Sequence, residues 1–183
     1  MNKRNLTLIG AASVALIACT AVFTSCSLSK PKGAKAVTGL DAEKYLGKWY
    51  EIARFDFIHE KDMDNTTAEY SFNEDGSIKV VNRGYNYKKG KWTEAIGKAK
   101  FVEDPAIGRL KVSFFGPFYS AYNIVELDEN YQHVLIVGKN TDYIWMLSRT
   151  PEIPEEVKTK YLKTAESLGY NLDRLVWVEH GNR

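Results

Sequence analysis

Two carboxylates, Glu51 and Glu126, are the best candidates for acid–base chemistry in this chain: each is predicted to lie in a strand and to look inward near one end of the fold. A carboxylate pair can divide proton donation and acceptance between its members when their surroundings push the two pKa values apart. Anchoring by a nearby arginine or by backbone donors is the commoner fate of such groups. The three histidines, His59, His133 and His180, lie too far apart to give a metal-ligand spacing. No glycine-rich segment precedes a helix to cradle phosphate, and no serine occupies a nucleophile elbow. The expectation is therefore a binding protein and not an enzyme, with no metal and no cofactor.

The two cysteines carry a different chemistry. Lys3 and Arg4 open the chain, no charged residue follows until Lys30, and the apolar run ends at Phe23-Thr24-Ser25-Cys26. This is a secretory signal pattern, and its end resembles the lipobox of bacterial lipoproteins, whose cysteine is acylated and becomes the first mature residue. Leu16-Ile17-Ala18-Cys19 fits in residue type too; Cys26 is preferred because residues 20–23 prolong the apolar run and 27–30 end it. An uncleaved membrane anchor is the remaining alternative. The organisation expected is a leader over 1–25, a tether over 26–39 containing Pro31 and Gly33, and one domain over 40–183. The membrane is then a partner through lipidated Cys26, and Ser27 in place of aspartate after it points, by the same resemblance, to the outer membrane.

The chain has 25 Lys and Arg against 23 Asp and Glu, and removal of Lys3 and Arg4 brings the two to parity. Without a basic excess or cluster, nucleic acid is not an expected partner. At 183 residues there is enough chain for one domain with a substantial core, and a core of that size needs no disulfide.

From Gly47 onward, turn residues and alternating segments follow one another at short intervals, the pattern of an all-β fold. Eight strands are predicted, over 49–57, 66–72, 77–85, 95–102, 109–115, 121–127, 133–138 and 143–149. Asn73-Glu74-Asp75-Gly76 is a hairpin turn with Asp-Gly at its tip. Sequential short connections describe an up-and-down meander, and closing it into a barrel removes the exposed edges. A single helical turn is expected over 41–46. After Pro154 the period changes: Val157, Tyr161, Leu162, Ala165 and Leu168 recur at helical spacing up to Gly169. One helix after eight strands is expected to pack outside the wall, followed by a short strand over 175–178.

In such a meander the start of strand one, the turn between strands six and seven and the end of strand eight share one end. Those places hold Gly47-Lys48-Trp49, Asp128-Glu129-Asn130-Tyr131 and Leu147-Ser148-Arg149-Thr150-Pro151. In these three stretches, in order and at fitting spacing, the chain resembles the lipocalins, with Leu127 where many members have threonine. The resemblance covers about residues 40–180. It is nearest to the bacterial outer-membrane and apolipoprotein D-like branch through Trp49-Tyr50-Glu51-Ile52-Ala53-Arg54, Val112-Ser113-Phe114-Phe115-Gly116-Pro117-Phe118-Tyr119, and Trp145-Met146-Leu147-Ser148-Arg149-Thr150-Pro151.

The resemblance implies an eight-stranded antiparallel barrel closed at one end by Gly47, Trp49 and Arg149, with Arg149 laid over the indole. It implies a ligand in the interior. Carrying the Trp49 phase along strand one, and the family's phase along the others, the lining is Ala53, Phe55, Ala68, Tyr70, Val80, Asn82, Gly97, Ala99, Val112, Phe114, Tyr122, Ile124, Val134 and Trp145. The implied function is binding, storage or transport of a fatty acid or lysophospholipid in the cell envelope. A lipid-modifying enzyme using Glu51 and an envelope structural protein with a filled barrel are the alternatives. Residues 115–119 are placed at the open end, as an apolar rim or as a cover for the core. The oligomeric state stays open, a dimer included.

Overall fold

The computed structural model describes residues 28–181, so the leader, Cys19, Cys26, Ser27 and the last two residues lie outside it. Eight antiparallel strands follow in order: β1 (Gly47–Phe55), β2 (Met63–Phe72), β3 (Ile78–Asn86), β4 (Lys91–Phe101), β5 (Arg109–Phe115), β6 (Phe118–Leu127), β7 (His133–Val137) and β8 (Ile144–Ser148). Each pairs with the next, β8 pairs with β1, and β1 pairs with β2, which closes the barrel. A four-residue helix, α1 (Ala42–Tyr45), precedes β1, with Asp41 capping the amides of Glu43 and Lys44. Helix α2 (Glu155–Ser167), a 3-10 turn (Leu172–Arg174) and β9 (Leu175–Trp177) complete the chain. β9 pairs with the upper half of β1, where β2 has diverged.

The barrel wall separates two cores. Inside it, Trp49, Ala68, Tyr70, Val80, Ala99, Leu110, Ile124, Val134 and Leu147 pack together; outside it, Ile52, Ala53, Phe55, Leu135, Met146, Tyr161 and Ala165 pack under α2. Helical spacing thus identified the buried face of α2.

Strand β1 changes core part-way along. Glu51 stands opposite Leu147, yet Ala53, not Ile52, stands opposite Met146: one extra residue is inserted. Such a bulge inverts the alternation of everything beyond it. Ala53 and Phe55, predicted to line the barrel, therefore face α2, and Arg54 takes the interior position. A second register shift between Ile124 and Glu126 has a similar result. Glu126 accepts from Thr164 Oγ1 of α2 at 2.9 Å, outside the wall, so it does not share an interior with Glu51.

The segment expected to be a free tether is docked from Pro31 onward. Pro31 is buried and Ala34 is 1% exposed under α2. Val37 exchanges backbone hydrogen bonds with Ile124 and Gly108, 2.9 Å each.

Candidate functional site

The closed end is built on the indole of Trp49, which is wholly buried. Its Nε1 donates to Tyr45 O at 2.9 Å, and the Arg149 guanidinium lies 3.8 Å over its ring. Arg149 also donates to the carbonyls of Lys48, Lys44, Tyr45 and Tyr131. One side chain thereby ties α1, β1 and the β6–β7 turn to the end of β8. Gly47 has φ +90°, and a Cβ there would sit 3.4 Å from Arg149 Nη1, so glycine serves both the backbone turn and the close approach.

Residues directly opposite in an antiparallel pair share a face, so register identifies the lining. Ala68, Asn82 and Ala95 form one interior row; Tyr70, Val80 and Gly97 form the next; Ile78, Ala99 and Val112 form a third. Tyr122 faces Leu110, and Ile124, Ile136 and Trp145 stand side by side. All of the predicted lining except Ala53 and Phe55 is on the inner face. Gly97 makes room for the ring of Phe114, which would lie 2.9 Å from a Cβ at that position.

Low in the barrel, Tyr122 Oη lies 2.6 Å from Tyr45 Oη and 3.0 Å from Tyr70 Oη. Burial raises the pKa of all three hydroxyls, which keeps them protonated.

Higher up, Arg54, only 1% exposed, donates to Glu51 Oε1 at 2.8 Å and to the carbonyls of Glu60 and Met63. Its Nε lies 3.7 Å from Glu60 Oε2. Thr66 Oγ1 also donates to Glu51, and Trp145 Nε1 donates to Glu60. Glu60 belongs to the β1–β2 loop, and this network holds that loop over the mouth. Phe57 meets Trp145 and Tyr143 edge-on, and His59 lies against Phe115.

The model of the lipocalin-like domain matches residues 40–180. The chain belongs to the lipocalin family. It is 46% identical to the outer membrane lipoprotein Blc of Citrobacter freundii over 91% of this chain and 94% of that protein. Against Blc of Escherichia coli K12 the identity is 44%, covering 96% and 97%. Among solved structures, insecticyanin of the tobacco hornworm Manduca sexta superposes with a TM-score of 0.67 at 18% identity, over 84% of this chain and 87% of that one. That likeness speaks for the fold alone.

In this lipocalin the carboxylate that sequence placed inside, Glu51, is held by Arg54 and Thr66. Among the described residues no cluster of His, Cys, Asp and Glu is arranged to hold a metal. His133 pairs with Asp128 at the closed end, and His180 meets Glu51 O from the C-terminal segment. Arg54, Glu60 and Thr66 are among the interior polar residues that sequence reading missed. Residues 115–119 form a rim at the open end: Phe115 and Phe118 are 72% and 69% exposed.

Burial pushes the Glu60 carboxyl well above the usual carboxylate range, and the neighbouring Glu51 adds to this against the pull of Arg54. A carboxyl that holds its proton more tightly when folded contributes fully below its unfolded value, about 4.3. That contribution is lost as pH rises through the folded value. Glu60→Gln keeps an acceptor for Trp145 Nε1 and removes the titration. It is expected to melt with the wild type at acid pH and above it at neutral pH, as thermal scans across the range will show. Coincident curves at neutral pH would refute this account of the loop.

Proposed function

We propose that this lipocalin binds a fatty acid or lysophospholipid inside the barrel while anchored by lipidated Cys26 to the outer membrane. One observation carries the binding reading. Ala95 faces the interior beside Asn82, yet it is exposed, and Asn82, Gly97, Val112 and Phe114 around it are only half-buried. A solid core would bury an inward alanine. Low in the barrel, by contrast, Trp49 and Val134 are fully buried, and Ala99 is 4% exposed. The opening lies where β4 rises past its pairing with β5, which covers only Lys98 to Phe101.

An eight-stranded barrel encloses room for one small ligand. Each methylene of an acyl chain buried there is worth about 0.8 kcal/mol. Asn82 Oδ1, buried and without a hydrogen-bond partner, supplies an acceptor on that wall. The Blc relatives, by name outer membrane lipoproteins, support the anchor and its location together with the leader pattern ending at Cys26.

Filling the opening tests the reading. Ala95→Trp is expected to abolish binding of a fluorescent fatty acid while leaving the melting temperature nearly unchanged. In a barrel packed solid, the added ring would overpack the interior and lower stability by about 1–3 kcal/mol, with no affinity to lose. Lys98→Trp, on the outer face of the same strand, is the control. Retained affinity in Ala95→Trp would sink the proposal.

A further inference from the structure

We infer that the open end of the barrel is the face this protein docks on a phospholipid surface, with Ile58, Phe115 and Phe118 entering the interfacial layer. The inference rests on the proposed anchor at Cys26 and concerns how the barrel stands on it.

Three independent observations converge on that end. The first is apolar exposure: Ile58 is 84% exposed, Phe115 72% and Phe118 69%. Loop contacts bring these residues together at the mouth, where His59 of the β1–β2 loop lies against Phe115 and Phe57 lies against Tyr143 of the β7–β8 loop. Grouped apolar exposure of this kind marks an interaction surface, unlike scattered single residues.

The second is charge. At the closed end, the turns 73–77, 102–108 and 128–132 carry Glu74, Asp75, Glu103, Asp104, Asp128 and Glu129 with no lysine or arginine. At the open end, Lys61, Lys88, Lys89 and Lys139 stand against Asp56, Glu60, Asp62 and Asp142, and Lys88 pairs with Asp62 at 2.9 Å, so the loops there balance. The acidic turns therefore make the closed end the less favourable one to set against anionic lipid, and the balanced open end the more favourable.

The third is the route of the chain. Ser29 Oγ donates to Lys139 O at 3.0 Å, and Arg109 Nη2 donates to Leu28 O at 3.2 Å. The described chain thus begins against the wall, between the β7–β8 loop at the open end and Arg109 at the start of β5. Cys26 lies two residues earlier, a reach of about 7 Å even when fully extended. An acyl anchor three residues from Ser29, which bonds the β7–β8 loop, leaves the mouth within reach of the leaflet.

The geometry gives the ligand a dry path: a lipid leaving the leaflet meets the apolar rim and then the interior at Ala95 and Phe114. Deep penetration is not needed, since a few apolar side chains and adjacent lysines suffice at an interface where an acyl anchor already supplies attachment.

The test uses the mature lipoprotein reconstituted in vesicles of phosphatidylethanolamine and phosphatidylglycerol containing a spin-labelled lipid. A polarity-sensitive dye is attached through Ile58→Cys at the mouth or Asn130→Cys at the closed end. The dye at 58 is expected to shift to the blue and be quenched, and the dye at 130 to behave as in water. Adding Phe115→Asp and Phe118→Asp to the Ile58→Cys protein should reduce quenching several-fold without changing its melting temperature, because both rings are exposed. Quenching at 130, or at neither position, overturns the docking. Energy transfer between dyes at 58 without lipid quenching overturns it in favour of a rim that pairs two copies. Cys26→Ser should be released from the vesicles. Release of the unmutated lipoprotein would overturn the anchor and the docking together, whereas retention without quenching at 58 overturns the docking alone.

Discussion

Trp49→Ala is expected to destabilise the fold by about 3–5 kcal/mol, the range for removing a fully buried aromatic. The indole is 0% exposed and its Nε1 is one of two donors to the Tyr45 carbonyl, so truncation leaves a void and removes one of those two hydrogen bonds. It also removes the surface on which Arg149 rests, 3.8 Å away; a cation–π contact contributes about 0.5–2 kcal/mol. Arg149→Ala should destabilise as well, by freeing the carbonyls it gathers from α1, β1 and the β6–β7 turn. Because the two side chains touch, the losses should not add. Denaturant titration of the wild type, both single variants and the double variant measures the coupling. Strict additivity would dissolve the stacked pair.

Arg54→Met should be comparably severe at neutral pH and much milder in acid. The methionine replaces the buried stem but leaves Glu51 without its cation and the carbonyls of Glu60 and Met63 without their donor. Breaking a buried ion pair from one side typically costs about 3–5 kcal/mol. Burial already raises the Glu51 carboxyl, with Arg54 the chief opposing influence; without Arg54 it rises further. Stability of the variant is therefore retained below the ordinary glutamate range and lost as pH rises through the elevated folded value. The difference between the two melting curves should widen steadily from acid to neutral. A pH-independent difference would mean that Arg54 acts through packing alone.

These two sites differ in how well sequence announces them. Gly47, Trp49 and Arg149 lie in stretches that resemble the lipocalins, and the turns between strands carry local signals, so the barrel's closed end and the strand order were readable. The β1 bulge was not, because strict alternation has no place for an extra residue. Under strict alternation Glu51 and Arg54 fall on opposite faces, and their pairing is invisible. The only hint is Ile52-Ala53, two adjacent apolar residues followed by Phe55, an apolar stretch too dense for one face of a strand. Ala53 and Phe55 were misplaced for this reason, and Arg54 and Glu60 were missed with them. The start of β4 at Lys91 was also hidden: Lys91, Trp92 and Glu94 are exposed on a stretch that β5 does not cover, so no burial pattern marks it. Residues 31–39 read as linker by composition, although the backbone hydrogen bonds of Val37 dock them on the wall.

The pairing of β1 with β8 and β9 has a consequence for synthesis. A chain emerging from the ribosome offers its first strand only one neighbour, β2, through most of translation. The other two arrive near the end, and the loop they must close spans nearly the whole domain, so entropy delays ring closure. Until then the wall has free edges and α2 has no complete surface to cover. A polypeptide whose last strands must seal its first stays threadable while it is being made, which is the state a translocation channel requires.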